Sequence, residues 1–239
     1  MLNHFWKIDD RTTLNSGITY QMGKIGNSRL DFQNADNPDP TYYRNLPSYF
    51  TSQYNLDDYT DWIGDDPLNV ANAAAAKSNF LANRQINWLE MYQANKTASG
   101  RSAYILYEDR TDDKVLTANT IINSRLSDKV VLNAGVTFKN LKSHNFANLL
   151  DLLGGNFFND IDNFQSGSEQ QSDLNNPNRQ VVVGETFAYN YNLLATTIDA
   201  FAQLKFSYKK FDFYFAQSFT KAVYQREGLY KNGLYPTNS

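Results

Sequence analysis

The chain has 239 residues and a net charge of −3, with 22 Lys and Arg against 25 Asp and Glu. This length can bury a sizeable core in one large domain or two small ones, and the balanced charge argues against a dedicated nucleic-acid binder. The absence of cysteine excludes disulfide scaffolds, thiolate zinc sites and cysteine nucleophiles. The two histidines, His4 and His144, are too few and too far apart in sequence to predict a metal site, and no motif predicts a cofactor.

The hydropathy of the chain contrasts with its aromatic content. Mean hydropathy is −0.57, which is polar, yet 15% of the residues are aromatic. No stretch approaches the roughly 20 apolar residues of a membrane helix, whereas a β-barrel strand needs only about 10 alternating residues. The opening MLNHFWKIDD lacks the basic start, apolar run and cleavage site of a signal peptide. We therefore expect either a cytoplasmic protein or a piece of a longer exported one.

The N-terminal segment predicts a β-hairpin. In residues 14–22 the even positions, Leu14, Ser16, Ile18, Tyr20 and Met22, alternate with more polar odd positions. This alternation is typical of a strand with one apolar and one polar face. The charged residues 8–12 predict a tight turn between this strand and the segment that contains Phe5 and Trp6.

Residues 26 to 102, approximately, predict a long connection. Residues 34–48 contain three prolines and favour turns. Asp66 followed by Pro67 is a plausible helix start, and residues 68–96 contain neither Gly nor Pro. The sequence therefore predicts one or two helices within 66–96.

Alternation of period two returns in residues 116–126, 130–138, 198–208 and 211–219. The short segments Ser127-Asp128-Lys129 and Lys209-Lys210 predict tight turns that join these strands in pairs. Residues 142 to 186, approximately, predict a second long connection, in which 155–180 shows no period. The chain thus predicts about six strands.

The connections alternate between short and long. Short periplasmic turns at one end and long extracellular loops at the other are typical of outer-membrane barrels, whereas a soluble sandwich more often keeps both ends short. We therefore predict an all-β fold in which residues 1–239 contribute antiparallel strands to a transmembrane β-barrel.

Aromatic residues beside the short turns predict a membrane interface. Phe5, Trp6, Tyr208 and Phe211 flank the first and third turns. Amphipathic rings at this position form the interfacial girdle of a barrel. Ordinary cross-strand packing of aromatic residues is the alternative, but the asymmetry of the connections favours the girdle.

A second aromatic group lies in the first long connection, in a stretch rich in Asn and Asp. Its members are Tyr42, Tyr43, Tyr49, Phe50, Tyr54, Tyr59 and Trp62. These rings either contact an extracellular ligand, such as a sugar, a peptide or another protein, or form the loop's own small core. The sequence leaves both interpretations open.

The residue patterns do not predict an enzyme. Asp109, Asp112 and Asp113 form one acidic cluster and Asp57, Asp58 and Asp61 another, but neither has the ligand order of a calcium loop, so we expect solvated charged loops. Ser143 and His144 are adjacent, which does not make a catalytic triad, and no nucleophile elbow or phosphate-binding glycine loop is present.

Several long strings of the sequence resemble TonB-dependent outer-membrane receptors of the Bacteroidota. The resemblance extends over the whole chain and is narrower for the group with a carboxypeptidase-like regulatory domain ahead of the plug. The strings are LNHFWKIDDRTTLNSGITYQMGKIGNSRLDF, NPDPTYYRNLPSYF, YEDRTDDKVLTANT, QSDLNNPNRQVVVGETFAYNY and GLYKNGLYPTNS.

This resemblance implies a barrel of about 22 strands closed by an N-terminal plug. It implies active uptake of a bulky nutrient, such as a siderophore, oligosaccharide or peptide, in the outer membrane. The implied partners are outer-membrane lipid, the plug, TonB and a surface lipoprotein, and no nucleic acid. The sequence lacks a signal peptide, a TonB box, a plug and most of the strands, so we expect an interior barrel fragment of a larger receptor.

The alternative is a soluble all-β module that binds glycans or acts as an adhesin. Such a module needs a packed core of branched aliphatic residues on its apolar face. The apolar positions here include Ser16, Ala118, Thr120, Ala134 and Ala200, which suits lipid better.

Overall fold

The structure, a computed structural model, describes residues 1–54 and 61–237. Strands hold 54% of the chain and helices 15%, and the strand pairs of the main sheet are antiparallel, which confirms the predicted all-β class. In chain order the elements are β1 (Leu2–Lys7), β2 (Thr12–Phe32), a 3-10 turn (Tyr43–Asn45), α1 (Pro47–Thr51), α2 (Pro67–Ala82), α3 (Trp88–Thr97), β3 (Tyr104–Ser127), β4 (Val130–Asp151), β5 (Phe158–Asn159), β6 (Gln180–Val181), β7 (Thr186–Tyr208) and β8 (Phe211–Gly228). Within the described residues, no helix has the length and apolar character needed to cross a membrane.

Six strands form one sheet in the order β1-β2-β3-β4-β7-β8. The six strands follow one another across the sheet in the same order as along the chain, as in an up-and-down meander, while β5 and β6 form a separate two-stranded sheet. The predicted short turns are confirmed at Ile8–Arg11, Asp128–Lys129 and Lys209–Lys210, because each separates two strands of this sheet. Within the described residues, β1 and β8 are the edge strands.

The strands extend well beyond the segments that alternation predicts. β2 continues to Phe32 and β4 to Asp151, so the predicted loop limits near 26 and 142 are wrong. The acidic segment YEDRTDDK also lies within β3 and not in a loop. Charged and amide side chains occupy both faces there, which removes the hydropathy alternation but leaves the backbone pairing unchanged.

The helical prediction is confirmed as two helices. α2 starts after Asp66 with Pro67 in its first turn. Proline suits this position because a backbone N–H there would have no partner within the helix. Asn87 caps α3 by accepting a hydrogen bond from the Glu90 backbone N–H at 3.2 Å.

The chain divides into two compact units. Unit one contains residues 1–29, 107–149 and 160–239, and unit two contains residues 30–106 and 150–159. Unit one consists mainly of the sheet. Unit two has a hydrophobic core of Met91, Ala103, Tyr104 and Leu153, against which Leu30, Phe32, Ile86, Tyr92 and Ala94 pack.

A buried amide holds unit two together. Asn95 is fully buried, and its Nδ2 donates to the carbonyl oxygens of Tyr104 and Leu152 at 2.8 Å and of Leu153 at 3.1 Å. Its Oδ1 accepts from the backbone N–H groups of Ala103 at 2.7 Å and Tyr104 at 2.9 Å. One side chain therefore satisfies backbone groups from two chain segments that are distant in sequence.

Candidate functional site

The register of the sheet brings the alternating apolar positions of all six strands onto one face. Even positions pair with even positions from β1 to β2 and from β4 to β7, and even positions of β7 pair with odd positions of β8. Ser16 Oγ and Thr120 Oγ1, 2.9 Å apart, place the even positions of β2 and β3 on the same face. We call this surface the apolar face. Its large members are Leu2, Trp6, Leu14, Ile18, Tyr20, Met22, Leu116, Ile122, Leu126, Val130, Leu132, Val136, Phe138, Ile198, Leu204, Phe206, Tyr208, Phe211, Phe213, Phe215 and Phe219.

The other side of the sheet, the polar face, carries the remaining positions. A Cβ at Gly17 would lie 2.8 Å from Asn119 Oδ1 and 3.2 Å from Asn3 Oδ1, so these three strands present odd residues together. A Cβ at Gly135 would similarly lie 2.8 Å from Phe201 Cε1 and 3.1 Å from Ile121 Cγ1. A larger side chain at Gly17 would have to displace the Asn119 side chain, and one at Gly135 would also meet the Thr120 carbonyl oxygen at 3.0 Å.

The apolar face is not covered by other described residues. Met22 is 70% exposed, Phe215 63% and Phe219 62%. A soluble protein rarely leaves so large a contiguous apolar surface in water. This face is therefore the first candidate for contact with lipid or with another protein.

Three of the four predicted interface aromatics lie on the apolar face. Tyr208 and Phe211 are paired across the last short turn, and Trp6 is paired with Leu14 beside the first. Phe5 lies on the polar face, opposite Asn15. Tyr208 stacks with Phe213 at 6.4 Å between centroids, and Lys129 Nζ lies 5.2 Å from the Tyr208 ring centroid.

At the end remote from the short turns, the same face becomes polar. We call one row of five residues the polar row: Lys24, Asp112, His144, Asn192 and Glu227. Lys24 Nζ lies 3.8 Å from Asp112 Oδ2, and His144, Asn192 and Glu227 are paired in register on β4, β7 and β8. Asn192 Nδ2 donates to Glu227 Oε2 at 2.8 Å.

Arg110 bridges Asp112 and Glu108, its neighbours on the same face of β3. Its Nε donates to Asp112 Oδ1 at 2.7 Å and its Nη1 to Glu108 Oε1 at 2.8 Å. Its guanidinium also lies over the Phe146 ring, on which the His144 ring stacks at 4.4 Å. The histidine is thus engaged in packing, and its Nε2 is 2.6 Å from Asn190 Oδ1.

The acidic cluster of β3 does not converge on one point. Asp112 belongs to the polar row. Asp109 lies on the other face, where it accepts a hydrogen bond from the Tyr189 hydroxyl at 2.7 Å and pairs with Arg29 at 2.7 Å. Successive side chains of a strand point to opposite faces, which separates them. Across residues 1–54 and 61–237, no group of three or more His, Asp or Glu side chains is placed to hold a metal ion. Asp57 and Asp58 lie outside the described residues.

The residues 160–186 of unit one are organised by a buried ion pair. Asp160 is almost fully buried, its Oδ2 accepts from Arg179 Nη2 at 2.7 Å, and its Oδ1 accepts from the Ala188 N–H at 2.7 Å. Arg179 also donates to the Tyr230 hydroxyl at 2.6 Å and to the Thr186 carbonyl. A charge buried with this many partners positions a loop.

The aromatic group of unit two packs largely against itself. Tyr42 contacts Tyr43, Tyr43 contacts Tyr49, and Tyr49 contacts Phe50, all edge-to-face with centroids 4.9, 5.7 and 5.3 Å apart. Tyr54 and Trp62 pair in an isolated antiparallel bridge, and Trp62 Nε1 donates to the Thr51 carbonyl at 2.8 Å. Tyr59 lies outside the described residues. These contacts support the small-core interpretation, while Tyr43, Tyr54 and Trp62 stay about half exposed and their contact with a ligand stays a prediction.

A cavity of about 410 Å³ lies beside this aromatic group. Arg44, Asn45 and Phe50 line one side, and the α2 residues Asn72, Asn79 and Phe80, with Asn83 just beyond the helix, line the other. Sequence reasoning missed this cavity, although Asn72, Asn79 and Asn83 are spaced at about two and three helical turns and so predict one helix face. Carboxamides both donate and accept hydrogen bonds, so the cavity suits a ligand rich in hydroxyl or amide groups.

No family model, curated protein or solved structure matches the chain.

Proposed function

We propose that the chain is a section of the β-barrel of a TonB-dependent outer-membrane receptor, with its apolar face toward lipid. The observation that carries this proposal is the register, which collects the apolar positions of six strands on one exposed face. A soluble sandwich would cover such a face with a second layer.

The height of the apolar face supports a membrane-spanning role. On β3 the alternation runs from Leu116 to Leu126, about ten residues, before Lys114 introduces charge. At about 3.4 Å per residue and a tilt of about 40°, this stretch spans about 26 Å. The apolar band of outer-membrane barrels is about 25 Å tall.

The two edges of the sheet support a larger barrel. β1 and β8 each have one partner among the described strands, and unpaired backbone groups at an edge are costly in lipid. We infer that further strands pair with both edges in the assembled receptor. In that receptor the plug, TonB and a surface lipoprotein are the partners, and the transported ligand is a bulky nutrient.

Unit two supplies the proposed extracellular contacts. Its aromatic group and the adjoining cavity combine exposed rings, carboxamides and Arg44. Rings that stack on sugar or peptide planes, together with amides that bind polar groups, are suited to an oligosaccharide or peptide.

Site-specific fluorescence in lipid tests the orientation of the sheet. The 239 residues contain no cysteine, so F215C and Y214C can each be labelled at one position of this chain with an environment-sensitive fluorophore. These neighbours are both well exposed and lie on opposite faces, which makes them a matched pair. The protein is produced from its own gene in its own host, and its membranes are fused with vesicles that carry nitroxide groups on the acyl chains.

We expect strong quenching of the label at position 215 and little at position 214, because nitroxides on acyl chains reach only lipid-facing groups. Equal, weak quenching of both labels, with the protein in the soluble fraction, would overturn the proposal. That result would favour the soluble glycan-binding or adhesin module.

A further inference from the structure

Two lysines lie at the boundary between the apolar face and the polar row. Lys114 on β3 and Lys142 on β4 are exposed and line one cavity of about 440 Å³ together with Asp112, His144, Asn192 and Glu227. This cavity is the place where the chemistry of the face changes from hydrocarbon to charge.

The register places the two lysines side by side. Thr111 Oγ1 donates to Asn145 Oδ1 at 3.1 Å, and Asn148 Nδ2 donates to Glu108 Oε1 at 3.0 Å. The same register holds at Gly135, which lies against Ile121. Between these points, Lys114 on β3 is opposite Lys142 on β4. Like charges directly opposite each other on a sheet destabilise it unless an anion lies between them.

The acidic groups nearby do not pair with the two lysines. Asp112 is engaged by Arg110 and Lys24, and Glu227, across the cavity, accepts from the Asn192 amide. Among the described residues, neither Lys114 nor Lys142 has a carboxylate within the 4.0 Å of an ion pair. Two ammonium groups therefore face one cavity, and neither has a carboxylate at ion-pair distance.

The surface below the lysines leads into the apolar face. Leu116 follows Lys114 on the same face of β3. On β4 the polar pair Asn140–Thr196 follows Lys142, and Phe138 with its β7 partner Ile198 lies one row further. A ligand with a phosphate group at one end and hydrocarbon at the other matches both features at once. The phosphate would lie between the ammonium groups while the chains extend along the apolar face.

We propose that Lys114 and Lys142 bind the phosphate headgroup of an anionic membrane lipid. This inference rests on the proposed membrane location and adds to it a lipid-selective site on the outer surface of the barrel. The lipid neutralises the lysine pair and fixes the depth of this part of the sheet in the membrane.

Electron spin resonance with spin-labelled lipids tests the site. The protein, purified from its own host, is reconstituted in phosphatidylcholine vesicles that contain a trace of spin-labelled phosphatidic acid or spin-labelled phosphatidylcholine. The immobilised fraction of each probe gives the preference for the anionic lipid. The variant K114Q/K142Q removes the pair, K114R/K142R retains its charge, and K139Q/K205Q removes two lysines from the polar face as a matched control.

We expect K114Q/K142Q to lower the preference for phosphatidic acid at this site by about fivefold per lysine. K114R/K142R and K139Q/K205Q should keep the preference of the unchanged protein. Inorganic phosphate at about 20 mM should not displace the lipid, since the acyl chains contribute to its binding.

The outcomes separate the two proposals. If neither probe is immobilised, the protein is not in lipid and the proposed function itself fails. If both probes are immobilised but K114Q/K142Q and K139Q/K205Q behave alike, the lysine site is wrong while the barrel proposal stands. Displacement of the lipid by inorganic phosphate would also overturn the lipid site, because it would show a site for free phosphate.

Discussion

The hydroxyl groups of Ser16 and Thr120 lie 2.9 Å apart on the apolar face, although 104 residues separate them in sequence. Thr12 and Ser124 form a second such pair, also at 2.9 Å, four residues nearer the short turns along each strand. On the proposed lipid-facing orientation, polar groups on this surface need partners, and these hydroxyls supply them to each other. The two pairs also fix the register between strands that a long connection separates.

The Ser16–Thr120 pair predicts an asymmetry between single and double substitutions. Ser16→Ala or Thr120→Ala alone should destabilise the assembled protein by about 1 kcal/mol, because each leaves one hydroxyl without a partner. The double variant should cost less than either single one. Denaturant unfolding in lipid vesicles, analysed as a double-mutant cycle, measures this, and additive costs would show that the hydroxyls are solvated independently.

A charge placed in the middle of the apolar face should discriminate between its two environments. Ala202 lies on the apolar face and its neighbour Gln203 on the polar face. If the apolar face meets lipid, Ala202→Arg should destabilise the protein by about 2–4 kcal/mol and reduce its level in the membrane. Gln203→Arg should change stability by less than about 0.5 kcal/mol. Similar membrane levels of the two variants, measured after membrane isolation, would contradict a lipid-facing orientation.

The part of the sheet next to the short turns could be predicted from sequence because one physical rule dominates there. From Leu116 to Leu126 and from Phe211 to Phe219, one side chain in two is selected for an apolar surroundings, which leaves a period of two. Nearer the long loops, Glu108, Arg110 and Asp112 occupy the same face as those apolar residues. Arg110 pairs with both acidic side chains on this face, but ion pairs between neighbouring residues leave no alternation in hydropathy.

Unit two was less predictable because its stability depends on contacts between distant segments. Pro67 and the absence of later glycines indicate its helices, yet nothing around Asn95 shows that this residue is buried. Asn95 lies near the end of α3, where asparagine is common. Its role as a buried hydrogen-bonding side chain depends on residues 103–104 and 152–153, which lie next to it only in the folded protein.

Asn95 therefore provides a stability prediction for unit two. Asn95→Ala leaves several buried backbone groups without partners and should destabilise this unit by about 3 kcal/mol. Hydrogen exchange at the amides of Ala103 and Tyr104, which bond to Asn95 Oδ1, should accelerate by about two orders of magnitude. Asn83→Ala, a change of an exposed asparagine, is the control and should leave these rates unchanged. Equal exchange in both variants would show that other contacts hold the segments together.

Asp173 gives the long loop of unit one a dependence on pH. Burial acts to raise the pKa of its carboxyl group, but hydrogen bonds from the Asn176 side chain and from the backbone N–H groups of Lys231 and Asn175, together with the charge of Arg179, hold the pKa below its ordinary value of 3.8. The bonds to Lys231 and Asn176 measure 3.0 and 2.9 Å. The folded loop therefore prefers the ionised carboxylate.

Because the folded pKa is depressed, this stabilisation is fully present above the unfolded value near 3.8 and is lost as the pH falls through the folded pKa. The chemical shift of the Lys231 amide should stay constant at neutral pH and move only below that value. Asp173→Asn, which cannot ionise, should abolish this titration and should loosen the contact between Asp173 and Lys231 at neutral pH as well. The substitution Asp173→Asn removes only the ionisation of residue 173. If the Lys231 amide shift changes above pH 3.8, or changes equally in the variant, another group controls the loop.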